Sequence, residues 1–194
     1  MPRATLTADE IQAFRQRAVA AATHLFGRDG YDAVTMRALA SELGCSPMTA
    51  YRYFDDKAEL FAAVRTEAFR RFADAQEAAF EAVAGALERL TALHDAYVAF
   101  ALREPDAYRI MFELRQEAAG TYPELDAQSE RSFSYLLRAT EQAVAEGQLR
   151  GDPLTLAHLM WSSVHGLVSL HLADKLTLGR DLNDLLEALR PKPG

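Results

Sequence analysis

The chain has 194 residues, 49% of them hydrophobic and 25% charged, with 28 acidic against 21 basic side chains for a formal net charge of −7. That length fits one domain or a small domain joined to a larger one, with enough apolar residues to bury a core without disulfides. The composition excludes a disordered tail and a collagenous repeat, and the acidity argues against a general nucleic-acid coat. Cys45 is the single cysteine, so neither an intramolecular disulfide nor a Cys/His zinc site can be built, and a reducing, cytoplasmic setting is expected. No metal and no cofactor are expected. The first ten residues carry no apolar run behind Arg3, so no signal peptide is read there. The most apolar stretch, Leu154 to Leu172, is interrupted by His158, His165, Gly166 and His171 and is expected to be a buried helix, with no membrane partner.

Alanine and leucine dominate and strict apolar alternation is missing, so the chain reads as all-α with about nine helices. The first is predicted from near Asp9 to Asp29, with Ile11, Phe14, Ala18, Ala22 and Leu25 on one stripe and Gly30 as its stop. Thr35 caps a short helix to Leu43, ended by Gly44. Ser46 caps a third, with Pro47 at its first position, running to Phe54. Asp56 and Glu59 have capping-box spacing at the start of a long fourth helix. An amphipathic helix over Ala86 to Arg103 follows and stops at Glu104-Pro105, then a short one with Tyr108, Met111 and Phe112. Gln116 to Pro123 reads as a loop before a helix over Glu124 to Glu146 carrying Phe133, Leu136, Leu137 and Val144. The apolar helix Leu154 to Ala173 and a last helix, Leu182 to Leu189, complete the chain.

Two short helices joined by Gly44-Cys45-Ser46 have the spacing of a helix-turn-helix, in which the first helix braces a second that enters the DNA major groove. Met36, Leu39, Ala40 and Leu43 form the inward face of the first, leaving Thr35 and Arg37 at its exposed start. The second presents Met48, Thr49, Tyr51, Arg52 and Tyr53 outward, with Phe54 as its core anchor. Hydroxyls and an arginine on a small protruding helix suit phosphate and base-edge contacts.

The run from Ala20 to Leu60 holds a Gly30-Tyr31 turn, Thr35-x-Arg37-x-Leu39-Ala40, Tyr51-x-Tyr53-Phe54 and Lys57. At that spacing it resembles the N-terminal domain of TetR-type bacterial transcriptional regulators. The resemblance implies that Thr35, Tyr51, Tyr53 and Lys57 contact phosphates, that Arg37 and Thr49 lie near bases, and that Phe54 locks the reading helix. Ser46, Met48 and Arg52 complete the candidate DNA-binding set. A weaker resemblance, carried by Trp161, His165 and Gly166 with the stretch Tyr97 to Phe112, is to the C-terminal domain of a TetR subgroup named for Trp, His and Gly.

From this a domain boundary is expected after residue 55, with 1–55 as the helix-turn-helix domain and 56–194 as a larger helical effector and dimerisation domain. The resemblance implies an effector cavity among the later helices, with Tyr97, Phe100, Met111, Phe112, Trp161 and His165 as candidate walls; as bare side chains the aromatic ones and Met111 are more often a plain core. His158 and His165 share a helix face, but neither has a carboxylate three or four residues on to complete a metal site. Gly166 is expected to allow a close helix approach.

Leu156, Leu159, Met160, Val164, Leu167, Val168 and Leu170 surround their helix too fully for one buried face. With Leu182, Leu185, Leu186 and Leu189 of the last helix, Leu156 and Leu167 are candidates for an isologous homodimer interface.

The reading is thus of a homodimeric, cytoplasmic repressor, binding double-stranded operator DNA and released by a small-molecule effector, and not of an enzyme. The alternatives are an all-helical carrier or enzyme with a vestigial helix-turn-helix, or an activator of the same fold; no Gly-rich phosphate loop, His-Glu-x-x-His or Gly-x-Ser-x-Gly is present to favour an enzyme. The charge is uneven. Residues 1–54 hold six basic and five acidic side chains, net +1, and the remainder is net −8.

Overall fold

A computed structural model describes residues 7–112 and 120–190. Among the described residues the chain is all-α, with nine helices and no strand: α1 (Ala8–Ala33), α2 (Met36–Glu42), α3 (Pro47–Ala50), α4 (Lys57–Glu81), α5 (Ala86–Arg103), α6 (Pro105–Phe112), α7 (Pro123–Ala145), α8 (Pro153–Leu172) and α9 (Leu182–Leu189). Residues 113–119, part of the loop expected before α7, lie outside the description. No helix among the described residues is long and apolar enough to cross a membrane.

Helix starts follow short-range chemistry. Thr7 accepts from the Glu10 backbone N–H at 3.2 Å while the Glu10 carboxylate accepts from the Thr7 N–H at 2.8 Å, a complete capping box one residue before the predicted start. The Thr7 backbone N–H first, and then the Thr7 hydroxyl, which donates to the same carboxylate at 3.1 Å, hold the Glu10 carboxyl below the usual glutamate range. Asp152 and Asp181 cap α8 and α9 by accepting from the backbone N–H of Thr155 and Asp184, without a returning bond from the third residue to the cap backbone. Asp56 accepts from Glu59 N–H at 2.8 Å, but the Glu59 carboxylate returns to the N–H of Asp55 rather than Asp56, so that box is displaced by one residue.

The chain forms two compact units, the first of residues 1–68 with 106–126 and the second of 69–105 with 127–194. The first division between these compact units falls inside α4. In the first unit Phe14, Ala18, Ala22, Leu25 and Phe26 of α1 are buried with Met36, Leu39 and Ala40 of α2, Ala50, Phe54, and Leu60, Phe61 and Val64 of α4. Ile11, predicted on the inward stripe of α1, is instead exposed, one turn before the first buried residue of that stripe, Phe14. Gly30 interrupts α1 with φ +77°, a left-handed geometry that suits glycine, and one further turn follows it. Where α6 meets α1, a side chain on Gly27 would stand 2.5 Å from Cβ of Asp106, and Arg109 donates to the Gly27 carbonyl at 2.9 Å.

In the second unit Phe72 packs edge-on against Tyr97 and tilted against Phe100, at 5.3 and 5.1 Å between ring centres. Phe80, Leu90, Leu93, Tyr135, Ala139 and Ala143 make a second buried cluster. The inward face of α7 is thus Tyr135, Ala139 and Ala143, while the predicted Phe133, Leu136, Leu137 and Val144 are half-buried, Leu136 packing against this cluster. Arg131 bridges Asp74 at 2.8 Å and Glu77 at 2.5 Å. Hydrogen bonds from Tyr135 and then Arg131 hold the Glu77 carboxyl below its usual range.

Candidate functional site

The two short helices are joined by a turn that closes on itself. Leu43 ends α2, Gly44 takes φ +64°, the Gly44 N–H donates to Ser41 O at 3.1 Å and Cys45 N–H to Ala40 O at 2.9 Å. This is a Schellman ending, and it needs the residue after the cap to be left-handed, hence glycine. Thr35 caps α2 by accepting from Ala38 N–H at 3.1 Å; Ser46 caps α3 by accepting from Thr49 N–H at 3.2 Å, and its hydroxyl lies 3.0 Å from that of Thr49.

The second helix is shorter than the sequence suggests. Residues 51–53 are a turn in which Arg52 N–H reaches Thr49 O and Tyr53 N–H reaches Ala50 O, both at 3.1 Å. This tightening brings Phe54 under the motif, where it is 1% exposed. Ala50 and Phe54 anchor the segment below; above it, Thr35, Arg37, Ser46, Met48, Tyr51 and Arg52 are exposed, Met48 at 73%.

The other predicted residues are less free. Thr49 is half-buried beside Ser46. Tyr53 is half-buried with its ring stacked on Phe14, 3.9 Å between centres. Lys57 donates to the carbonyls of Tyr31 at 3.0 Å and Asp32 at 3.4 Å, and its ammonium sits 4.3 Å from the centre of the Tyr31 ring. It holds the carbonyls that Gly30 sets loose at the end of α1.

Arg15 was not among the expected residues. From α1 it donates to the Tyr53 carbonyl, reaches Glu59 at 3.1 Å and covers the Phe54 ring at 4.3 Å, clasping the far end of the reading segment. In sequence it is one more polar residue beside the apolar stripe, and nothing local announces partners some forty residues away.

In the second unit a cavity of about 200 Å³ lies among α4, α5, α7, α8 and α9. Leu90, Leu93, Leu136, Met160 and Val164 supply most of its apolar wall, with Gln76, His94, Tyr97, Trp161 and Ser163 as the groups bearing polar atoms. Of the predicted wall residues it brings together Tyr97 and Trp161. Phe100 does not line it, being 1% exposed against Phe72, and Met111 and Phe112 belong to the first unit, Met111 fully buried there. His165 stands just behind, its Nδ1 3.0 Å from the Tyr97 hydroxyl. Gln76 and His94 were missed because polar residues on α4 and α5 read as solvated faces. Among the described residues no cluster of three His, Cys, Asp or Glu side chains could hold a metal. His158 is within 2.9 Å of the Leu154 carbonyl through Nδ1 and packs on Phe133.

Leu182 and Leu186, expected at a dimer interface, are buried within their own chain, at 6% and 9% exposure; Leu156, Leu167 and Leu185 are half-buried and Leu189 is 40% exposed. The apolar exposure of α8 lies instead on Leu154, Leu159 and Leu170. Gly166 does not serve a close approach within the chain: a side chain there would meet nothing within 4 Å.

Comparison with known proteins places these features. Residues 18–64 match the family model described as bacterial regulatory proteins, tetR family, and residues 90–190 match that of the tetracyclin repressor-like C-terminal domain. Among solved structures, a protein of unknown function from Rhodococcus sp. RHA1 is similar at 28% identity, covering 90% of each chain with a TM-score of 0.78. The fold is shared by the TetR family transcriptional regulator PfmR from Thermus thermophilus, at 21% identity, 90% and 93% coverage and a TM-score of 0.69. It is shared also by the transcriptional regulator FadR from Bacillus subtilis in complex with stearoyl-CoA, at 18% identity, 90% and 97% coverage and a TM-score of 0.75. Among curated proteins none matches. A helix-turn-helix with an exposed reading face, followed by a helical domain that matches over more than half the chain, makes this protein a member of the TetR family of DNA-binding transcriptional regulators.

Proposed function

We propose that the protein is a homodimeric, cytoplasmic repressor whose residues 1–55 read operator DNA and whose residues 56–194 dimerise and bind the small molecule that releases it. The observation that carries this reading is the exposure of Arg37, Met48, Tyr51 and Arg52 on a helix-turn-helix whose underside is sealed by Ala50 and Phe54. A fully polar surface helix has no need of an exposed methionine and tyrosine; a helix that packs into a major groove does, with Arg37 and Arg52 supplying base or phosphate contacts. Thr35, Ser46 and Thr49 add hydroxyls at the two helix starts, and Tyr53 and Lys57 act beside them, Lys57 holding the end of α1 while its side chain remains half-exposed.

Dimerisation is supported by Leu154, Leu159 and Leu170, which leave α8 with an apolar exposed side, and by the open space above Gly166, where a second backbone can approach. Release by a ligand is supported by the cavity in the second unit. A coupling of about 1–3 kcal/mol between ligand and DNA would suffice for it.

The test is a gel shift with the DNA upstream of the protein's own gene against random DNA at physiological salt, repeated with Tyr51→Ala and Arg52→Ala. The wild type should prefer the upstream fragment, and both variants should lose that preference while keeping the circular dichroism of the folded chain. Equal affinity for both DNAs would sink the reading, since a carrier with an idle helix-turn-helix behaves that way.

A further inference from the structure

We infer that the cavity takes a compact, uncharged, largely apolar molecule bearing a hydroxyl or phenol, whose O–H donates to Nε2 of His94. His94 lines the cavity, and its Nε2 is buried with no hydrogen-bond partner among the described residues. A buried polar nitrogen left unpaired is costly, and a ligand group that pairs it gains accordingly. The other ring nitrogen decides what that group must be. Nδ1 stands 3.4 Å from Oδ1 of Asp95, which Arg190 holds in place at 3.0 Å. A carboxylate accepts only, so in the neutral ring the tautomer that pairs with Asp95 carries its proton on Nδ1 and presents a lone pair at Nε2. The matching ligand group is therefore a donor.

Charge is excluded by the walls. Among the described residues no lysine or arginine lines the cavity, so a carboxylate or phosphate would enter a mainly apolar wall without a fixed counter-charge. Size is limited too, since about 200 Å³ is below the roughly 300–1,000 Å³ usual for small-molecule sites. A ring with a short alkyl arm fits this description; a long acyl chain on a phosphate-bearing carrier does not. Two hydroxyls of the wall are turned elsewhere, Ser163 donating to Leu159 O at 2.7 Å and the Tyr97 hydroxyl lying 3.0 Å from His165 Nδ1.

That this molecule is the effector rests on the regulator reading above; that the cavity binds it does not. Trp161 is the chain's single tryptophan and lines the cavity, so its emission reports occupancy in the full-length protein without DNA. The probes are 4-propylphenol, its methyl ether 4-propylanisole, 4-propylbenzoate and stearoyl-CoA. The phenol should shift Trp161 emission saturably and bind about tenfold or more tighter than the ether and the benzoate, with stearoyl-CoA inert. His94→Phe should abolish the preference for phenol over ether, and His94→Gln, which keeps an acceptor oxygen, should retain part of it. An ether, benzoate or stearoyl-CoA that binds as tightly as the phenol, a phenol that does not saturate, or a His94→Phe protein that keeps the preference would each overturn the assignment. The wild-type probe series decides this even where a variant is poorly folded. A phenol-selective protein with no DNA preference leaves the cavity assignment standing and removes the regulator reading; a DNA-selective protein without phenol preference does the reverse.

Discussion

Arg15 does for the reading segment what no residue inside that segment can do. Its guanidinium joins the Tyr53 carbonyl, the Glu59 carboxylate and the Phe54 ring, so one side chain of α1 fixes the point where α3 unwinds. The group is about one-third exposed, which moderates its worth. Arg15→Ala should cost about 1–2 kcal/mol in denaturant unfolding, and it should weaken specific DNA binding although Arg15 is not itself on the reading face. Arg15→Lys, which loses the planar fork, should restore little of either. An Arg15→Ala protein with wild-type stability would show the clasp to be idle. At this scale the sequence was legible where chemistry is local. Phe54 as anchor, Thr35 and Ser46 as caps and the exposure of Arg37, Tyr51 and Arg52 all follow from spacing on short elements. Arg15, the Lys57 tether and His94 depend on partners brought in by tertiary packing, and Gln76 and His94 look in sequence like any polar residue of a helix surface.

The helices themselves were readable to within a residue or two at most caps, prolines and glycines, although α1 runs one turn past Gly30. α5, α8 and α9 begin or stop at such marks, and Gly44 announced its Schellman turn. α3 ends sooner than its pattern suggests because Tyr51 to Phe54 continue a plausible helical periodicity; the need to bury Phe54 tightens the backbone there instead. Gly27 carried no visible signal, since a glycine inside a helix looks only like a defect. Its reason is α6: a Cβ at 27 would meet Cβ of Asp106 at 2.5 Å, and that atom is not the free end of a flexible side chain. Gly27→Ala should therefore destabilise the protein by about 1–3 kcal/mol, against the gain of up to about 1 kcal/mol that alanine brings to an open helix. Gly166→Ala, at a site open within the chain, is the matched control. A Gly27→Ala protein that melts higher than wild type would refute the tight approach of α6.

For the whole molecule the net charge of −7 acquires a location. Of the six described cations among the first 57 residues, three are committed within the head, Arg15 to Tyr53 and Glu59, Arg28 to Asp29 at 2.7 Å, and Lys57 to the end of α1, and Arg17 lies on α1 away from the reading helices. Arg37 and Arg52 remain as exposed cations on the reading face. Two per head and two heads imply about four neutralised phosphates, so the slope of log K against log salt should be near −4. Titration of upstream DNA from 50 to 200 mM salt measures it, and a slope steeper than about −7 would contradict this charge map. The acidic remainder adds repulsion that lowers non-specific binding.

The division of the first unit inside α4 bears on how the head can be isolated. Leu60, Phe61 and Val64 are 0–3% exposed in the head's own core, and the Phe61 ring meets Phe26 and Tyr31 edge-on, each at 4.9 Å between centres. A gene fragment ended at codon 55 would leave Phe26 and Leu25 uncovered and strip the carbonyls of Tyr31 and Asp32 of the Lys57 ammonium. Its product would be a poorly folded, protease-sensitive peptide, because α4, continuous from Lys57 onward, carries part of the head's own core.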